Sequence, residues 1–277
     1  MKEIQGTYRQ ATGELPFRLT NDYLFRALLQ KNNKVLKHLT CSLMRIRPEE
    51  VKEVRVENPI VLGEAVRDKE FILDVKVSLN SEEIINYEMQ VANRGDWPMR
   101  SLVYLCREFD QLQHGEDYRD IRPVTHIGFL DFPLFPEKPE FYATYRMQNV
   151  RNHHLYTDRF TLSVVDLNQV ELATEEDRAW RTDYWAALFK ATTWEEVKGM
   201  AEKDEIMREA ADTVYLLTQD DLVRERCWAR EDYYRTMRTY ENEIRDLKDE
   251  NGTLKNENDS LKEKIRLLEM RISENTE

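Results

Sequence analysis

Cysteine is scarce. Cys41, Cys106 and Cys227 stand far apart in a chain of 277 residues and form no CxxC pair. Such spacing carries no metal-cluster signature and suits a reducing compartment. Long apolar runs are missing as well. No stretch approaches the roughly 20 apolar residues of a membrane span, and the opening MKEIQGTY lacks the apolar core of a secretory leader. The expectation is a cytoplasmic protein with no membrane partner. Basic charge is in deficit: 41 Lys and Arg stand against 53 Asp and Glu, a formal net charge of −12. Bulk charge therefore does not draw this chain to nucleic acid, although a local basic groove is compatible with it. GxxxxGK[ST], HExxH and GxSxG are also absent, which removes support for a phosphate-binding loop, a zinc protease and a serine-hydrolase elbow.

What the chain does have is a pair of alternating runs, 71–77 (FILDVKV) and 84–91 (IINYEMQV). Both suit β-strands, and the polar residues 78–83 between them read as a hairpin turn. Side chains repeat every two residues along a strand, so Asp74 shares a face with Lys76, and Glu88 shares one with Gln90. Folding the hairpin gathers two carboxylates, a lysine and a carboxamide into one patch among apolar neighbours. Two oxygen ligands at a strand pair are what a hard divalent cation accepts. Magnesium takes one or two carboxylates and completes its shell with water and substrate phosphate, and such an ion activates water for in-line displacement. On alternation alone an ordinary amphipathic strand pair is the favoured reading.

Around this hairpin the pattern predicts an α/β core. A helix starts near Thr20 or Asn21, either a good N-cap, with Tyr23, Leu24, Phe25, Leu28 and Leu29 as its apolar stripe. A second helix follows over 34–44, then an extended segment within 51–60 and a polar turn over 63–69. Residues 100–113 read as a helix whose apolar side holds Leu102, Val103, Leu105, Cys106 and Phe109. Runs at 124–132, 141–147 and 160–166 read as further strands. From 175 onward the period is helical, with Thr193 capping one helix. Arg100, Arg107, Arg119 and Arg122 cluster modestly after the hairpin and suit either phosphate contacts or a plain surface. The adjacent His153 and His154 would point to opposite faces of a strand, and His114 and His126 have no partner in sequence. None of the four is assigned a role.

The C-terminus carries the clearest period. Ile244, Leu247, Asn251, Leu254, Asn258, Leu261, Ile265, Leu268 and Ile272 step by three and four, placing Ile or Asn at a and Leu at d. Glu243 with Lys248, Glu250 with Lys255, Glu257 with Lys262 and Lys264 with Glu269 oppose in sign only in a parallel pair. The expectation is a parallel homodimeric coiled coil over 240–273, a rod of roughly 50 Å at ~1.5 Å per residue.

Leu73-Asp74-Val75, a gap, then Tyr87-Glu88-Met89-Gln90 resembles the core of the recombination-promoting nuclease/putative transposase family, a prokaryotic branch of the PD-(D/E)xK nucleases. Residues 21–26 (NDYLFR) resemble its N-terminal helix motif, Arg100 and Tyr104 its next helix, and 123–132 its following strand. The resemblance covers roughly 15–238. It implies a restriction-endonuclease-like core, a mixed sheet flanked by helices, over 1–170, a helical region over 171–238 and the coiled coil over 239–277. It implies a Mg2+-dependent DNA endonuclease, with Mn2+ as a substitute, linked to recombination, mobile elements or defence. Asp74 and Glu88 would be the metal ligands, helped by the Met89 carbonyl, and Gln90 would stand where the superfamily usually has lysine. Lys76 and Asp22 are secondary candidates. The alternative is an inactive nuclease fold serving as a dimeric interaction module.

Overall fold

The computed structural model describes residues 6–60 and 74–274. The turn expected over 63–69 and the start of the first hairpin strand, 71–73, lie outside the described residues.

Two helices open the fold, α1 (Asp22–Lys31) and α2 (Asn33–Met44). Asn21 caps α1 as its position predicts, its side chain accepting from the Leu24 amide at 3.3 Å. Asn32 closes α1 and caps α2, accepting from Lys34 and Val35. The short strand β1 (Val54–Val56) follows, then the hairpin strands β2 (Val75–Leu79) and β3 (Glu83–Gln90). Their turn is tighter than the polar run predicts. Asn80 and Ser81 both take left-handed backbone, and the Asn80 side chain accepts from the amides of Lys52 and Glu53, which locks the turn against the preceding loop.

The sheet has six strands in the order β1-β2-β3-β4-β6-β5, with β4 (Val124–Leu130), β5 (Tyr142–Arg146) and β6 (Phe160–Asp166). β1, β2 and β3 are antiparallel neighbours, β3, β4 and β6 run parallel, and β5 closes the far edge antiparallel. Parallel neighbours need a crossover. Between β3 and β4 that crossover is α3 (Trp97–Phe109).

The helix begins three residues before the expected 100 because Pro98 sits in its first turn, where a missing N–H costs nothing. Its buried stripe also differs from expectation. Trp97, Ser101 and Leu105, spaced by four, lie on the sheet, while Leu102 and Val103 are exposed. The small Ser101 lets the helix approach closely, and Trp97 and Leu105 fill the gap on either side.

The two faces of the sheet are covered unequally. Val75, Val77, Tyr87, Met89, Ile127 and Phe129 point into the main core with Phe25, Leu28 and Leu39 from α1 and α2. Helices α4 (Glu175–Ala179), α5 (Thr182–Lys190), α6 (Trp194–Ala201) and α7 (Glu205–Gln219) supply further members of that core, including Trp185 and Phe189. Thr193 caps α6 in a reciprocal box with Glu196. On the opposite face lies α3 with two small apolar clusters, one around Trp97 and one around Leu105. Between those clusters the face is polar.

The last helix, α8 (Asp221–Glu274), runs for 54 residues without a break. The separate helices predicted around 222–234 and 240–273 are one element. The described chain divides into compact units of 1–230 and 231–277. Among the described residues no helix is long and apolar enough to cross a membrane.

Candidate active site

The polar band under α3 is built by strand register. Val75 stands opposite Tyr87 and Lys76 opposite Asn86, so continuing the ladder by one residue sets Asp74 opposite Glu88. Directly opposed side chains on one face lie about 5 Å apart at Cβ. The parallel ladder then sets Asn86 against His126 and Glu88 against Gly128. Asp74, Asn86, Glu88, His126 and Gly128 therefore share one face by period two, and Gln90 lies one step beyond Glu88. Asp74, Glu88 and Gln90 are all buried.

Of Asp74, Glu88 and Gln90, Glu88 is the most confined, at 3 % exposure. Arg100 reaches down from α3 and sets a guanidinium nitrogen 2.7 Å from Glu88 Oε1, while His126 Nε2 lies 3.5 Å from Oε2. Neither oxygen accepts a hydrogen bond of normal geometry, although both are sealed from solvent. A buried carboxylate in that condition is costly. Burial, and then the charge of Glu88, push the Asp74 carboxyl up to about 7, with a hydrogen bond from Asn86 and the charges of Arg100 and Arg26 opposing.

The Asp74 main chain is held from α1 and from the loop after β1. The Asp74 carbonyl accepts from the guanidinium of Arg26 and from Asn58 Nδ2 at 3.0 Å, and Asn58 Oδ1 takes the Lys76 amide at 2.9 Å. Arg26 also donates to the Asn58 carbonyl. One turn further along α1, Gln30 donates to the Ile60 carbonyl at 2.5 Å and accepts its amide at 2.9 Å.

His126 is fully buried and fixed on three sides. Asn86 Nδ2 lies 3.0 Å from its Nδ1, the Tyr104 ring stacks parallel at 6.4 Å between centroids, and Trp97 tilts over it at 5.8 Å. Gly128 makes room for Trp97: a Cβ there would stand 2.1 Å from the indole.

The structure redistributes several predicted roles. Gln90 turns its amide to the Ala92 carbonyl at 3.2 Å. Lys76 shares the face of Asp74 but pairs with Glu108 at 2.7 Å. The Asp22 carboxylate receives a two-pronged contact from Arg230, 2.9 Å from Nε to Oδ1. Of the four arginines noted in sequence, Arg100 alone is placed on the carboxylates by an ion pair. Arg107 lies over the Tyr104 ring, Arg119 pairs with Asp117 and Arg122 with Glu57. Asn58, Asn86 and His126 carry no signal of their own in a linear pattern, and Arg26 stands out only as the end of the NDYLFR motif. The period-two match of His126 and Gly128 to a polar face is the one hint for His126.

A hard dication suits this donor set. Asp74 and Glu88 face each other across the continued β2–β3 ladder, both Glu88 oxygens lack a well-formed hydrogen bond, and a divalent ion accepts one or two carboxylates with water filling its shell. Among the described residues no group of three or more His, Cys, Asp or Glu side chains gathers into a metal cage, so closed coordination by protein alone is not offered here. A family model described as PD-(D/E)XK nuclease family transposase matches residues 19–243. No curated protein and no solved structure matches the chain.

Proposed function

Because the chain belongs to the PD-(D/E)XK nuclease family transposases, we propose that it is a metal-dependent DNA endonuclease centred on Asp74, Glu88 and Gln90. The observation that carries this reading is the Glu88 carboxylate, sealed from solvent with no well-formed hydrogen bond to either oxygen. Asp74 and Glu88 would hold Mg2+, with Mn2+ as a substitute. When bound, the ion supplies charge stabilisation at phosphate and a lowered pKa for water.

The chain's own residues do the rest. Arg26 and Asn58 fix the Asp74 backbone, which sets the direction from which its carboxylate extends. His126 and Arg100 flank Glu88 and fix the position of its carboxylate. Gln90 is neutral and orients water or a phosphate oxygen by hydrogen bonding, once its amide leaves the Ala92 carbonyl. Trp97 and Tyr104 roof the centre and limit bulk water. The biological setting we infer is recombination or mobile-element chemistry.

The tail beyond residue 230 supports a parallel homodimer. Ile244, Leu247, Leu254, Leu261, Ile265, Leu268 and Ile272 are each more than half exposed along one seam, a stripe that a second copy in register would bury. Two copies would bring two centres to the two strands of a duplex.

The reading is tested with plasmid DNA, Mg2+ and chelator. Cleavage is expected with the wild-type chain in Mg2+ and should be lost with chelator, with Asp74→Asn and with Glu88→Gln. Equal nicking by both purified, folded variants would overturn the assignment.

A further inference from the structure

Arg100 and a dication held by Asp74 and Glu88 would compete for one carboxylate oxygen. Two carboxylates and one guanidinium share a closed space: Arg100 lies 2.7 Å from Glu88, and its charge acts on Asp74 as well. Adding a dication between Asp74 and Glu88 sets two like-charged groups against each other and competes for the same Oε1. The Arg100 side chain, unlike Glu88, is not sealed, being 30 % exposed against 3 %. It also rests over the Tyr104 ring at 5.4 Å, a surface along which a guanidinium can shift while staying partly covered. A planar, permanently charged fork suits a phosphate diester as well as a carboxylate.

We propose that Arg100 is an exchangeable cation. It neutralises Glu88 before metal enters, and in the loaded centre it turns outward along Tyr104 to bind a phosphate oxygen of the DNA backbone. This rests on the nuclease reading and adds to it a named substrate contact and an order of events, metal first and phosphate second. Arg100 would thus oppose metal binding and favour DNA binding, two effects of opposite sign from one side chain.

The experiment uses the full chain as wild type, Arg100→Gln and Arg100→Lys, after thermal melts establish that each is folded. Mg2+ affinity is read by titration calorimetry. Binding to a short DNA duplex is read by fluorescence anisotropy over a salt series, with Ca2+ replacing Mg2+ so that association is followed apart from turnover. Arg100→Gln should bind Mg2+ several-fold more tightly. It should bind DNA more weakly, with the slope of log affinity against log salt shallower by about 1, as expected for one lost phosphate contact. Arg100→Lys should keep the wild-type salt slope, since its charge remains, and recover part of the DNA affinity. A purely structural arginine would instead weaken or leave unchanged the Mg2+ affinity and leave the salt slope alone, and that result overturns the proposal while the nuclease reading stands. A wild-type chain that binds neither Mg2+ nor DNA overturns both.

Discussion

Asn86 and His126, forty residues apart in sequence, meet side by side across the parallel β3–β4 ladder, with the amide nitrogen 3.0 Å from Nδ1. An amide N–H can only donate, so Nδ1 accepts and Nε2 is assigned the hydrogen, facing Glu88. His126→Leu keeps the volume but strands the Asn86 amide. It should cost about 1–3 kcal/mol in urea unfolding and weaken Mg2+ binding. The double variant with Asn86→Leu should recover part of the stability. Additive losses would mean that the two side chains do not act as a pair.

Gly128 offers a second test of packing around the centre. An added methyl would meet the Trp97 indole at 2.1 Å, so Gly128→Ala should destabilise by about 1–3 kcal/mol through overpacking. Trp97→Phe in the same chain should relieve much of that cost. If Gly128→Ala melts like wild type, α3 does not press on β4 as described.

The pH dependence of the metal-free protein follows from Asp74, whose carboxyl is raised from 3.8 to about 7 by burial first and by Glu88 second. Between those values the folded state binds more protons than the unfolded state. The slope of stability against pH is then negative, so this group's contribution falls as pH rises from about 4 to about 7. Asp74→Asn should flatten that fall in chelator-treated urea melts. Parallel curves for the two proteins would remove Asp74 as the titrating group.

A fourth prediction concerns the tail. Leu254→Asp with Leu261→Asp places charge in the seam between Asn251 and Ile265. The pair should convert a dimer to a monomer by sedimentation, and the melting of the 1–230 unit should persist. Replacing Asn251 and Asn258 by Ile should raise tail stability and admit higher oligomers, because buried Asn at a specifies two strands at a cost. An unchanged mass for the aspartate variant would place the dimer contact elsewhere.

How much of this was readable in advance depended on the range of the interaction. Local signals held: Asn21, one of two expected caps, Thr193 as a cap, and the 160–166 strand all appear where the sequence puts them. The opposition of Asp74 and Glu88 was readable too, because a hairpin is local and period two is strict. Asn86 with His126, Arg26 with Asp74 and Trp97 over Gly128 were not. Each depends on a crossover or helix docking whose register no short window encodes. The stripe of α3 was misread for a related reason: Leu102 and Val103 look apolar in sequence, but close docking on the sheet favours the row that contains Ser101.

α1 grips the chain at two places one helical turn apart: Gln30 holds Ile60, and Arg26, with Asn58, holds Asp74. A displacement of α1 is therefore passed to the backbone that carries the Asp74 carboxylate, so a change on this helix can alter the centre without touching either carboxylate.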